Sequence, residues 1–65
     1  MFAILLAEMR RKRITHAEIA KVIGVTTQAV SAKLAIGGDF KSEEMIKIQE
    51  KFFPEVDLKT LFTKT

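Results

Sequence analysis

The chain has 65 residues, enough for one small domain, and it contains no cysteine and a single histidine. Disulfides, thiolate metal sites and multi-histidine metal sites are therefore excluded. Hydrophobic residues make up 48% of the sequence, which is too large a share for a disordered chain. We predict one domain over residues 1–65, with no cofactor and no metal ion.

The net charge of +3 is unevenly distributed along the chain. Residues 1–38 hold six basic and two acidic side chains, whereas residues 39–65 hold five basic and six acidic ones. A basic half attracts polyanions, of which nucleic acid is the first candidate and a membrane surface the second. The apolar stretch 1–7 is too short to span a bilayer, and its basic residues follow it, unlike those of a signal peptide. We expect a soluble, cytoplasmic protein without a membrane partner.

Apolar residues at helical spacing predict a first helix over residues 2–12, with basic side chains in its last turn, where positive charge is favourable. The second helix has a sharper start, because Thr15 and Glu18 fit a Thr-x-x-Glu capping box. It is expected to run to Ile23, with Gly24 in the left-handed conformation that often ends a helix.

Three further helices are predicted in the rest of the chain. Thr26 is a suitable N-cap for a third helix over residues 27–35, and two glycines end it. A fourth helix over residues 42–53 stops before Pro54, which a helix interior does not accommodate. A short fifth helix spans residues 57–62. Since no strand-like alternation appears, the predicted fold class is all-α, a compact five-helix bundle.

The connection between the second and third predicted helices is the most informative feature. Two helices joined by three or four residues that include a glycine cross at a steep angle, as in a helix-turn-helix. The segment 16–35, HAEIAKVIGVTTQAVSAKLA, resembles the helix-turn-helix of the phage repressor and Cro family. That family has a small residue in the first helix of the motif, a glycine at the turn and a β-branched apolar residue in the second helix. Ala20, Gly24 and Val30 match these three positions. The helix layout resembles small phage-encoded regulators along nearly the whole chain.

The resemblance implies a lambda-repressor-like fold and sequence-specific binding of double-stranded DNA by a transcriptional regulator, in the simplest case a repressor that occupies an operator. Carried over by position, the base-reading residues are Thr27, Gln28, Ser31 and Ala32. Gln28 can form a bidentate pair with adenine, and the methyl groups of Thr27 and Ala32 can contact thymine. The same side chains would also make an ordinary solvent-exposed face.

Phosphate contacts are expected from side chains that surround this helix pair. The candidates are His16, Lys21, Thr26, Lys33, Arg10 and Arg13. Each of them is also compatible with a solvated surface.

The chain departs from its apparent relatives at several positions. His16 stands where many of them have glutamine, Ala32 and Ala35 stand where they often have asparagine, and Gly38 stands at or beside a basic position. The third predicted helix contains no arginine, so the commonest guanine contact is missing. We therefore expect modest affinity per monomer and a preference for half-sites that contain A·T pairs.

A weak homodimer is expected, because one small recognition helix buries too little surface to select a single genomic site. The predicted interface lies in the apolar C-terminal segment and comprises Phe53, Val56, Leu58, Leu61 and Phe62.

Other functions find less support in the sequence. No nucleophile stands beside a base and no glycine-rich phosphate loop is present, so we predict no catalytic residue, no enzyme activity and no small-molecule ligand. The alternative is a protein-interaction module that uses the helix-turn-helix bundle as a scaffold, with little or no DNA binding.

Overall fold

A computed structural model of the protein describes residues 1–64, and these form five α-helices with no strand among them. The helices are α1 (Ala3–Lys12), α2 (His16–Ile23), α3 (Thr27–Leu34), α4 (Ser42–Phe52) and α5 (Leu58–Leu61). The prediction of an all-α protein with five helices is confirmed. The described chain measures 26 × 23 × 22 Å, and none of its helices is both long and apolar enough to cross a bilayer.

Local capping interactions set the ends of α2 as the sequence predicts. The Thr15 hydroxyl accepts from the Glu18 N–H at 3.2 Å, and the Thr15 N–H donates to the Glu18 carboxylate at 3.0 Å. Both halves of the capping box are therefore present. At the other end Gly24 has a φ of 73°, and the Val25 N–H donates to the Ala20 carbonyl at 3.0 Å. This pattern is a Schellman motif, which turns the chain directly towards α3.

The end of α1 uses the same left-handed turn without a glycine. Arg13 has a φ of 57°, and the N–H of the next residue, Ile14, donates to the Met9 carbonyl at 2.9 Å. A side chain in this region is strained, because its Cβ approaches the following carbonyl oxygen.

Three phenylalanine rings close the core at the point where distant parts of the chain meet. Phe2, Phe40 and Phe62 come from the start of the chain, the α3–α4 connection and the end of α5, and their ring centroids lie 5.5 to 5.9 Å apart. The tilted and edge-on geometries are those that aromatic pairs favour.

Two polar side chains fasten the C-terminal end of α4. Lys12 Nζ donates to the Phe52 carbonyl at 2.8 Å and forms an ion pair with Glu55. Gln49 Nε2 donates to the carbonyls of Phe53 at 3.2 Å and Val56 at 2.9 Å. The side chains of Lys12 and Gln49 therefore hold the turn between α4 and α5 in place.

The C-terminal segment predicted to form a dimer interface is largely core, which corrects that prediction. Phe53 and Leu61 are 0% exposed and Phe62 is 9% exposed. Since these three side chains fill the bundle, they offer almost no surface to a second copy. Val56 and Leu58 are half-buried and pack against the same core.

Candidate nucleic-acid interface

The four predicted base-reading residues share one exposed face of α3. Val30 and Leu34 are 0% and 4% exposed and anchor α3 in the core. Residues four positions apart lie one above the other on a helix, so two adjacent rows, 27/31 and 28/32, form the outer side. That outer side consists of Thr27, Gln28, Ser31 and Ala32, all of them exposed.

Helix α2 holds α3 in position by packing against it. It packs against both α3 and α4, and Ala20, which is 4% exposed, lies in the core where a larger side chain would separate the helices. The start of α3 is fixed by Thr26, whose hydroxyl oxygen accepts from the Ala29 N–H at 3.1 Å. The Thr26 hydroxyl still has a hydrogen to donate, and its side chain is exposed.

A hydrogen bond that the sequence analysis missed connects α2 to the centre of the exposed α3 face. His16 Nδ1 lies 2.9 Å from Ser31 Oγ. Ser31 Oγ also lies 3.3 Å from the Thr27 carbonyl oxygen. No local pattern links residues 16 and 31, because their proximity depends on the crossing of the two helices.

His16 also lines a groove between the end of α1 and the start of α2. Arg10, Arg13 and Thr15 share this groove, which has a volume of about 380 Å³ and an apolar floor. Both arginines are exposed, and within residues 1–64 neither forms an ion pair with an acidic side chain. The structure therefore brings together three of the six residues predicted to contact phosphate, beside the N-terminus of α2, where an anion is favoured.

Lys21 lies elsewhere on α2. It is exposed, and it lines a second groove of about 420 Å³ with Glu18, Lys51 and Phe52. A position five residues from His16 points to a different side of the helix. Lys21 is therefore available to a ligand but does not belong to the arginine groove.

Lys33 is not available in the way that was predicted. Its Nζ lies 3.1 Å from Glu44 Oε1, and the two side chains are only 21% and 13% exposed. The same ammonium lies 5.9 Å from the centre of the Phe40 ring. Because its charge is already neutralised by Glu44 on α4, Lys33 stabilises the fold, and the predicted phosphate contact requires this ion pair to break.

The carboxylate that holds Lys33 is itself stabilised in its charged form. Burial alone would raise the pKa of Glu44, but the Lys41 N–H, which donates to it at 2.9 Å, and the Lys33 ammonium together lower that pKa. The carboxylate therefore stays charged, and paired with Lys33, to a lower pH than an ordinary glutamate.

The loop after α3 leaves no room for a side chain at Gly38. A Cβ on Gly38 would lie 2.1 Å from the Ala32 carbonyl oxygen and 2.5 Å from that of Lys33. No side chain fits there, so a basic residue at this position is sterically excluded. The neighbouring Ile36 is 84% exposed, which the sequence analysis did not anticipate.

Comparisons of the chain with protein-family models, curated proteins and solved structures give no match. The features that bear on function are the exposed polar face of α3 and the groove lined by Arg10 and Arg13.

Proposed function

We propose that the protein is a small cytoplasmic regulator that binds double-stranded DNA in a sequence-specific manner, with α2 and α3 as a helix-turn-helix of the phage repressor and Cro type. The observation that carries the proposal is the exposed face of α3, with its base-compatible side chains, next to Arg10 and Arg13. Occupying an operator is the simplest way for one such domain to repress transcription.

The dimensions of α3 suit the major groove. An α-helix with its side chains is about 10–12 Å across, close to the major-groove width of about 12 Å. Thr27 and Gln28 occupy the first turn of α3, the end that a recognition helix inserts most deeply. Gln28 has the donor and acceptor needed for adenine N6 and N7, and the methyl group of Ala32 one turn later suits a thymine methyl.

The charges favour backbone contacts from one side of this helix. Arg10, Arg13 and His16 would hold phosphates beside the N-terminus of α2, and Lys21 and Thr26 are exposed for further contacts. Since Lys33 is occupied by Glu44, the phosphate affinity rests on fewer cations than the sequence suggests. We therefore expect modest affinity per monomer.

Binding-site selection from a pool of random double-stranded DNA tests the proposal, followed by affinity measurements over a range of salt concentrations. Gln28→Ala should lose about 1–3 kcal/mol of discrimination at one adenine. Arg10→Ala should weaken binding to all sequences and lower the salt slope by about 0.9. Lys59→Ala, which removes the same charge from an exposed position on α5, is the matched control and should leave both quantities unchanged. Failure to enrich any sequence would refute the proposal.

A homodimer on DNA is part of the proposal, because one short helix reads too few base pairs to select a genomic site. The side chains buried in the C-terminal core do not form the interface, which leaves half-buried Val56 and Leu58 of the predicted set. Sedimentation with and without the selected DNA distinguishes a dimer from a monomer.

One observation favours a second function, a protein-interaction module. Ile36 is 84% exposed directly after α3, and a large apolar side chain at such a position is a typical anchor for a protein partner. If random DNA yields no enriched site while Ile36→Ser abolishes capture of a protein partner, this alternative replaces DNA binding.

A further inference from the structure

The single histidine of the chain sits between the groove where a phosphate would bind and a residue on the base-reading face. Its Nδ1 is bonded to Ser31 Oγ at 2.9 Å, while its Nε2 forms no hydrogen bond with the described residues 1–64. The other partner of Ser31, the Thr27 carbonyl, lies 3.3 Å away, longer than the usual 2.5–3.0 Å of an O–H···O bond. The contact with the imidazole is therefore the stronger of the two.

The chemistry of a neutral imidazole connects the two sides of His16. One ring nitrogen carries the hydrogen and donates, and the other only accepts. A phosphate oxygen only accepts, so a phosphate bound at Nε2 requires the hydrogen to be on Nε2. Nδ1 then has only a lone pair, and the 2.9 Å contact forms only if the Ser31 hydroxyl donates its hydrogen to Nδ1.

A serine hydroxyl has one hydrogen, so Ser31 then faces the DNA with lone pairs alone. In the major groove the only hydrogen-bond donors on the bases are the exocyclic amino groups, adenine N6 and cytosine N4. We infer that His16 is a positioning residue that makes Ser31 a hydrogen-bond acceptor, so that Ser31 selects an adenine or a cytosine at one position of the site. This inference rests on the proposed function, because it requires a phosphate at His16 and a base edge at Ser31.

The state of the ring is directly observable. Since the chain has one histidine, the imidazole resonances in a ¹⁵N NMR spectrum need no assignment. At about pH 8, above the range in which imidazole side chains ordinarily gain a second proton, the complex with selected DNA should show the hydrogen on Nε2 and a bare Nδ1. A hydrogen on Nδ1 in that complex overturns the inference.

The base preference is tested with analogues that lack the amino group. Each adenine of the selected site is replaced in turn by purine, and each cytosine by pyrimidin-2-one. One replacement should weaken binding of the wild type about fivefold, the effect of one hydrogen bond, and should have no effect on Ser31→Ala. Equal losses for the wild type and Ser31→Ala at every position contradict the inference.

Two variants of His16 separate its two contacts. The amide of His16→Gln reaches the place of Nε2 and keeps a donor for phosphate, but it presents no acceptor to Ser31. We expect affinity for the selected site within about twofold of the wild type, because the freed hydroxyl can still accept from the amino group. The preference for that base over guanine or thymine should be lost, because the hydroxyl can now also donate to guanine O6 or thymine O4. His16→Asn places an acceptor near Nδ1 and should retain the preference with weaker overall binding. Circular dichroism confirms that both variants fold.

The outcomes distinguish this inference from the proposed function. If DNA binds and His16→Gln discriminates as the wild type does, the inference is wrong and the proposed function stands. If the wild type enriches no DNA sequence, both are wrong.

Discussion

Replacing Arg13 by glycine should make the protein more stable and, under the proposed function, weaken its binding to DNA. Arg13 ends α1 with a φ of 57°, a conformation that costs an L-residue about 1–2 kcal/mol and costs glycine almost nothing. The greater freedom of glycine in the unfolded chain offsets about 0.5–1 kcal/mol of this gain. The net effect is a stabilisation of about 0.5–1 kcal/mol, which corresponds to a rise in Tm of about 2–8 °C for a domain of this size.

The same substitution removes a guanidinium from the groove that Arg13 shares with Arg10 and His16. If Arg13 contacts one phosphate, the slope of log affinity against log salt falls by about 0.9. Arg13→Ala is the matched control, because it removes the same charge and retains a Cβ in the left-handed region. Both variants should lose the same DNA affinity, and only the glycine variant should gain stability.

Thermal unfolding by circular dichroism and DNA binding by fluorescence anisotropy measure the two effects. A glycine variant less stable than Arg13→Ala would show that the left-handed conformation of Arg13 does not lower the stability of the protein. Unchanged salt slopes in both variants would remove Arg13 from the phosphate contacts while leaving the stability argument intact.

Three further predictions concern stability. Gly38→Ala should destabilise the fold by about 2–3 kcal/mol, because its methyl group meets the backbone of α3. Gly37→Ala should cost about 1 kcal/mol, because its methyl group meets open space and only the positive φ of 85° is unfavourable. Urea unfolding measures both changes. The lowered pKa of Glu44 means that the unfolded chain binds the proton more tightly than the folded protein does. The stabilisation is therefore present above the ordinary pKa of 4.5 and is lost as the pH falls through the lower pKa of the folded state. The free energy of unfolding should depend less on pH in Glu44→Gln, and an identical pH profile would rule out the pairing with Lys33. Gln49→Leu should cost about 1–2 kcal/mol, because the Val56 carbonyl loses its donor and the Phe53 carbonyl keeps only the Val56 N–H. A neutral result in chemical denaturation would show that water replaces the amide.

The boundaries of the helices were accessible from the sequence where the signals are local. Thr15 and Glu18 lie three residues apart and satisfy each other within one turn, so their roles follow from spacing alone. Gly24 adopts the positive φ that its position after α2 predicts. The exposed set on α3 followed from the resemblance of residues 16–35 to a known motif and not from spacing, because Thr27 and Ser31 lie within one turn of the buried Val30 and Leu34.

Features that depend on the path of a loop were not accessible. Lys33 looks like a free cation in the sequence, and only the course of the chain from α3 to α4 brings it to Glu44. Phe53, Leu61 and Phe62 could have been surface or core, and the choice depends on how much space the whole bundle leaves. The contact of His16 with Ser31 likewise requires the crossing of two helices.

The contacts among the three phenylalanines that close the core couple the folding of the two ends of the chain. The rings of Phe2 and Phe62 pack with their centroids 5.9 Å apart. This contact closes a loop of almost the entire sequence, so the chain must lose the conformational entropy of that loop before α1 can pack against the rest of the core. Phe40 joins the same cluster, which ties the segment after α3 to both ends. Partial unfolding that releases one end of the chain therefore also removes the packing that supports the exposed face of α3. Amide hydrogens in α1 and α3 should accordingly exchange with the same free energy as global unfolding.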